Sequence, residues 1–127
     1  MAKFIVESVE NGLVTLRVPG MNYRNCFQLK GPAPVAGQHV TGTISAPAWK
    51  AEQVQLGGNY VEPLFGRPRR MQGTVLAVKA ATNELTVRVG YEVTVKLPAK
   101  YKAEDFPVGS RVGWDNLESP TFEPAAT

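Results

Sequence analysis

The 127-residue chain contains one histidine, His39, and one cysteine, Cys26. One residue of each type is too few for a zinc site of the CxxC or HxxxH kind within a single chain. A lone cysteine also cannot form an intrachain disulfide. We therefore expect no metal site and no cofactor. Cys26 is expected to be a small apolar strand residue, and His39 a surface turn residue.

Motifs that carry catalysis are lacking as well. No glycine-rich phosphate loop opens a helix, and no serine lies in a Gly-x-Ser-x-Gly pattern. The carboxylates are scattered except for the adjacent Glu104 and Asp105, which on a short helix are usually solvated. The sequence therefore predicts that the protein is not an enzyme.

Long apolar runs are missing too. No stretch approaches the ~18 apolar residues that a membrane-spanning helix needs, and the N-terminal apolar run is too short for a signal peptide. We expect a cytoplasmic protein that has no membrane partner.

Charge of one sign is also scarce, because 14 basic residues face 11 acidic ones and the net charge is +3. Arg67, Arg69 and Arg70 equal this whole excess. Basicity is therefore a local feature, and a local feature indicates nucleic-acid binding less strongly than a basic domain would.

What the chain does have is a series of short β-like runs, separated by many of its 12 glycines and 10 prolines. Residues 3–9 and 13–18 are rich in β-branched types and flank Asn11-Gly12, a strong hairpin signal. Residues 25–30 and 40–44 predict two more strands, and Ala48-Trp49 is expected to begin a fifth.

The second half of the chain repeats this plan. Residues 73–78 match the first strand, 83–89 match 12–18, 107–112 match 35–40, and 118–122 match 45–49. We interpret the repeat as an internal duplication: residues 1–56 and 71–127 would each form a small antiparallel β-barrel of four or five strands, joined by a strap at 57–70. The alternative is that any two β meanders align this well.

One short helix is expected near 99–106, limited to about two turns by Pro98 and Pro107. It falls between the third and fourth strands of the second copy, where barrels of the OB-fold place a helix, so this copy resembles an OB-fold. In the first copy, residues 31–34 leave no room for a helix, and this copy resembles an SH3-like barrel. The resemblance implies an all-β fold of two small barrels and names no specific family.

The strap contains the strongest binding candidates. Arg67, Arg69 and Arg70 suit phosphate groups, and Tyr60 and Phe65 offer faces on which bases stack. Alternatively, the arginines are merely solvated while Val61, Leu64 and Phe65 anchor a strap that bends at three glycines, Gly57, Gly58 and Gly66.

Further candidates lie outside the strap. Arg17 and Arg88 occupy matching positions on the outer face of the second strand of each copy, a face that OB-folds use for ligands. Trp114 has no aromatic counterpart and is expected to face the other copy or solvent, where it would be a contact candidate. Trp49 and Phe122 are expected to plug the open end of each barrel.

Two hypotheses follow for function. In the first, the chain is a structural or protein-interaction module that docks onto another protein chain or onto a second copy of itself. In the second, it binds single-stranded nucleic acid, with the strap arginines on phosphates and Tyr60 or Phe65 stacked on bases.

Overall fold

The computed structural model describes residues 2–125, which form an all-β protein. Within this range no helix is long and apolar enough to cross a membrane. The eleven strands are β1 (Ala2–Glu10), β2 (Leu13–Arg17), β3 (Arg24–Leu29), β4 (His39–Val54), β5 (Tyr60–Glu62), β6 (Phe65–Gly66), β7 (Arg70–Lys79), β8 (Glu84–Arg88), β9 (Glu92–Lys96), β10 (Arg111–Asn116) and β11 (Thr121–Pro124).

All eleven strands belong to one mixed sheet. The pairings form two circuits that share β4. The first circuit runs β1-β2-β3-β11-β4 and returns to β1; the second runs β7-β8-β9-β4-β10 and returns to β7. The sheet crosses the predicted boundaries, since β11 pairs with β3 and β4. The division of the chain into 1–56, 57–70 and 71–127 stays a prediction.

The predicted hairpin at Asn11-Gly12 is confirmed. Asn11 has φ 51° and Gly12 has φ 75°, the left-handed conformations that a tight turn between paired strands requires. The predicted alternation on β2 and β8 is also confirmed. Val14 and Leu16 on β2 are buried, and so are their counterparts in the second half, Leu85 and Val87 on β8. In both hairpins the first strand carries a bulge: the register shifts between Val6 and Ser8 on β1 and between Val75 and Ala77 on β7.

Residues 40–44 and 48–49 are extended as expected, but the expectation of two separate strands was wrong. The chain instead runs as one strand, β4, from His39 to Val54. Pro47 does not interrupt it because Pro47 lies where β4 changes neighbours: Ser45 pairs with β11, and Ala48 pairs with β10. On this edge of β4 Pro47 therefore falls between two ladders, and on the other edge it is the last residue paired with β9.

The expected helix near 99–106 is reduced to a single 3-10 turn at Ala103–Asp105. Pro98 and Pro107 leave too few residues for a stable α-helix, so tertiary contacts rather than propensity hold this turn. Ala103 and Phe106 are buried. Asn83 Oδ1 accepts a hydrogen bond from Ala103 N at 2.8 Å, and this bond satisfies a backbone donor at the start of the turn.

One continuous apolar core lies under both circuits. Phe4 is at its centre, and its ring packs against three other aromatic rings. The centroid distances are 6.2 Å to Phe27, 5.2 Å to Tyr91 and 5.8 Å to Phe122. Because Tyr91 precedes β9 and Phe4 lies on β1, the two halves of the chain share their core rather than each burying its own.

The expected pair of aromatic plugs is only half present. Phe122 is buried against Phe4, but Trp49 is 45% exposed. The reason is a register shift: Ala48 pairs with Asn116 and Lys50 with Asp115, which leaves Trp49 as an extra residue without a partner on β10. The bulge turns the indole outward, where Lys50 Nζ lies 4.6 Å from its ring centroid.

Candidate functional site

The strap, residues 57–70, is more regular than the sequence suggested. β5 pairs with β7 in antiparallel fashion, and β6 pairs in parallel with β3. The strap therefore lies beside β7 through β5, and it reaches β3 in the other circuit through β6. We call residues 63–69 the strap tip.

A buried asparagine holds the strap tip. Asn25 on β3 is 1% exposed, and the two N–H groups of its side chain are shared among three carbonyl oxygens of the tip: Pro63 at 3.1 Å, Leu64 at 3.3 Å and Gly66 at 3.2 Å from Nδ2. In addition, the backbone N–H of Arg24 donates to Leu64 O at 2.9 Å. The tip is thus fastened through its backbone, which frees its side chains for other contacts.

The same asparagine connects the strap tip to the second half of the chain. The Tyr91 hydroxyl donates to Asn25 Oδ1 at 2.9 Å. Burial raises the pKa of the Tyr91 hydroxyl well above its usual value, and the nearby Tyr23 adds a smaller effect in the same direction. The hydroxyl therefore keeps the proton that it donates. The rings of Tyr23 and Tyr91 meet edge to face at 6.2 Å, and Gly90 leaves room for Tyr23, whose ring a Cβ at this position would strike. Sequence reasoning missed Asn25, although its phase with Phe27 on β3 placed it on the buried face.

Two of the three expected anchors do not anchor the strap. Val61 is buried as predicted, but Leu64 is 47% exposed and Phe65 is 59% exposed. Both lie at the strap tip, beyond the part of the strap that β7 covers, and their backbone carries the attachment instead. Arg24 places its guanidinium carbon 5.9 Å from the Phe65 ring centroid, which supports one face of the ring.

Arg70 does not belong to a free cluster of positive charge. Its Nη2 donates to Glu52 Oε1 at 2.7 Å and its Nη1 donates to Asp115 Oδ1 at 3.3 Å. Although partial burial alone would lower the pKa of Arg70, hydrogen bonds with the Tyr60 side chain and these two carboxylates raise it above the usual value. Gly113 leaves the space that the guanidinium crosses, because a Cβ there would lie 2.7 Å from Nη2. Arg70 therefore ties β7 to β10 and β4.

This arrangement separates Arg70 from its two neighbours in a stability test. Arg70→Ala should lower the free energy of unfolding by about 1 kcal/mol, since it removes two partly exposed ion pairs. Arg67→Ala and Arg69→Ala, both at exposed side chains, should change it by less than about 0.5 kcal/mol. Urea denaturation of the three variants checks this, and equal effects at all three positions would contradict the assigned role of Arg70.

Arg67 and Arg69 remain available at the strap tip. Both side chains are exposed, and neither forms an ion pair with another residue in the described part of the chain. The backbone around them is fixed, because Asn116 N donates to Arg69 O at 2.8 Å and Asn116 Nδ2 donates to Pro68 O at 3.0 Å. The two guanidinium groups therefore extend from an ordered segment.

The remaining predicted site residues lie apart from the strap tip or have partners. Arg17 donates from Nε to Glu7 Oε1 at 2.9 Å, whereas Arg88 is exposed at the end of β8. Trp114 is 0% exposed, and its Nε1 donates to Asn116 Oδ1 at 2.8 Å. It fills the core between β4 and β7, so it offers no surface for a partner.

The strap tip thus carries the exposed apolar side chains of Leu64 and Phe65 and the exposed cationic side chains of Arg67 and Arg69, and Arg24 of β3 lies against the Phe65 ring. Elsewhere, Cys26 is a half-buried free thiol on β3 and His39 is exposed at the start of β4. Among residues 2–125, no group of three or more His, Cys, Asp or Glu side chains could hold a metal ion. No protein-family model, no curated protein and no solved structure matches the chain.

Proposed function

We propose that the chain is a non-catalytic, cytoplasmic protein-interaction module built from two duplicated units, and that the strap tip is its contact surface. Support for duplication comes from backbone hydrogen bonds that repeat in the two halves at matching positions. The first half has Gly37 N to Val6 O at 2.7 Å and Val6 N to Gln38 O at 2.9 Å; the second has Gly109 N to Val75 O and Val75 N to Ser110 O, both at 2.9 Å.

The two circuits support a further step, in which each unit is a small barrel with an exchanged last strand. Each circuit has five strands, the number in an OB-fold barrel. In the first circuit, β11 from the second half lies parallel to β3; in the second, the 44–47 part of β4 from the first half lies parallel to β9. Residues 45–49 and 118–122 are the matching segments of the repeat, so each unit would lend its fifth strand to the other.

The observation that carries the interaction proposal is the exposure of Phe65 on a fastened backbone. An aromatic side chain whose backbone is already ordered loses little conformational entropy on binding. Phe65 also has Leu64 next to it in the chain, Arg24 against its ring, and Arg67 and Arg69 a few residues further along the strap tip. Aromatic residues and Arg are the types enriched at protein interfaces. Cationic residues around an apolar centre favour a partner surface that is apolar with an acidic rim.

Nucleic-acid binding is the second candidate, favoured by the free side chains of Arg67 and Arg69 next to Phe65. Fewer cationic side chains are free to contact phosphates than the sequence analysis expected. Arg70 and Arg17 are held by carboxylates, and Trp114 is buried. Two free arginines and one aromatic ring suit a small contact on a protein better than a track along a strand of nucleic acid.

The experiment places a photo-crosslinking amino acid at position 65 or, as a matched control, at position 56 in cells of the native host. Leu56 is 84% exposed and lies outside the strap tip. We expect a defined protein adduct from position 65 and none from position 56. With the partner in hand, Phe65→Ala should weaken binding by about 2 kcal/mol, as is typical of a central aromatic residue.

Three results separate the hypotheses. A nucleic-acid adduct at position 65 would favour the second candidate, which also predicts that oligonucleotide affinity falls with salt by ~0.7 log units per phosphate contact. An adduct that has twice the mass of the chain would identify a second copy as the partner. Equal labelling from positions 65 and 56 would overturn the strap tip as a contact surface.

A further inference from the structure

A concave surface lies away from the strap tip, beside the first strands of the first circuit. It is an open pocket of about 470 Å³. Val40 contributes apolar surface from the sheet, whereas Phe4 borders the pocket with its ring buried in the core. Four prolines form much of the wall: Pro19, Pro32, Pro34 and Pro124. Its size and apolar lining fall in the range of small-molecule sites, roughly 300–1,000 Å³.

The connection between β3 and β4 explains why this pocket is open. It spans nine residues, 30–38, and every one of them is exposed or half-buried. The matching connection between β9 and β10 spans fourteen residues, 97–110, and buries Ala103 and Phe106. A pocket that lies between Tyr101 of this longer connection and Gly113 of β10 has a volume of only about 180 Å³.

The register of the strands relates the two places. Thr41 pairs with Lys3 at the first pocket, and Gly113 pairs with Gln72 at the second. These are matching positions of the two halves: Thr41 lies two residues after the start of β4, and Gly113 lies two residues after the start of β10. The shorter connection of the first half therefore leaves apolar surface uncovered where the second half covers it.

The charged residues at the pocket indicate the charge of its ligand. Lys3 and His39 lie at the edge of the pocket, and no acidic residue is among the described residues that line it. Lys3 is exposed and forms no ion pair with any residue between 2 and 125. An apolar cavity with a cationic edge is complementary to an apolar molecule that ends in an anion.

We propose that this pocket binds a small apolar carboxylate, with its hydrocarbon part against Val40 and the prolines and its carboxylate at Lys3. This site shares no residue with the strap tip, so the two proposals stand or fall separately. The ligand class includes medium-chain fatty acids and aromatic acids, which share this chemistry.

The test is a titration of the full chain with decanoate and, as a neutral match, with decanol, followed by the backbone amide signals in NMR. We expect saturable shifts at Ala33, Val40 and Thr41, and about fivefold tighter binding of decanoate than of decanol. Lys3→Gln should remove this difference between the two probes. Ala33→Trp should fill the pocket and abolish binding of both, whereas Ala36→Trp, on the same connection but outside the lining, should not.

Several outcomes would overturn the proposal. They are the absence of saturable shifts with decanoate, equal affinity for decanoate and decanol in the unaltered chain, and shifts centred on Leu64 and Phe65. Retained binding in a folded Ala33→Trp variant would also overturn it. The Ala36→Trp variant guards against a general effect of adding an indole to the surface.

Discussion

Replacement of Asn25 by alanine should lower the free energy of unfolding by about 3 kcal/mol, the cost expected when several buried polar groups lose their partners together. Three strap-tip carbonyl oxygens would lose the Asn25 donor, although Leu64 O would keep its bond from Arg24 N. The Tyr91 hydroxyl would lose its acceptor. Because Asn25 and Tyr91 are both buried, water does not replace these bonds without a rearrangement of the strap tip. Urea denaturation followed by circular dichroism measures the effect.

The control for this prediction is Asn22→Ala. Asn22 precedes the same strand, is exposed, and should change the free energy of unfolding by less than about 0.5 kcal/mol. A double-mutant cycle adds a sharper check. Tyr91→Phe alone leaves Asn25 Oδ1 without its donor, so the double variant should be more stable than the sum of the single effects predicts, by about 1 kcal/mol. Strict additivity would contradict the Asn25–Tyr91 bond.

Substitution of Gly42 by alanine should cost about 2–3 kcal/mol, the typical cost of overpacking a tight site. A Cβ at Gly42 would strike the carbonyl oxygen of Glu123 and the ring of Phe122, both on β11. Neither group can simply rotate away, because Glu123 O belongs to the backbone and the Phe122 ring is fully buried. The variant must therefore move β11 away from β4, and β11 is the strand that joins β3 to β4.

Gly58→Ala is the matched control, since a Cβ at Gly58 meets nothing within 4 Å. We expect a change below about 0.5 kcal/mol for this variant. Thermal unfolding and the near-ultraviolet signal of the aromatic core should report the loss at Gly42 together with the displacement of Phe122. A Gly42→Ala variant as stable as Gly58→Ala would show that β11 is not packed against β4 as described.

Local signals in the sequence predicted the parts of the fold that depend on local chemistry. Asn11-Gly12 predicted a turn because both residues tolerate positive φ, and the alternation on β2 predicted its buried face because successive side chains point to opposite sides. The length of β4 was not predictable in this way. Pro47 reads as a break, and only the change of partners beside it explains why the strand continues.

The candidate site shows the same limit. Arg67, Arg69 and Arg70 look alike in sequence, yet Arg70 is paired because Glu52 and Asp115 arrive from distant strands. Phe65, one of the alternative anchors, is exposed and Trp114, a contact candidate, is buried for a similar reason. The exposure of each side chain depends on which strands pack over it. These strands are distant in sequence, so the local sequence pattern does not predict the exposure.

The sharing of β4 has a consequence for how the molecule loses its structure. One strand supplies hydrogen-bond partners to β1, β9, β10 and β11, and it cannot leave one circuit while remaining fully paired in the other. Loss of the first circuit would also release β11 and expose the aromatic cluster that Tyr91 shares with Phe4. The two halves are therefore energetically coupled, and we expect them to unfold in one cooperative transition rather than as two independent domains.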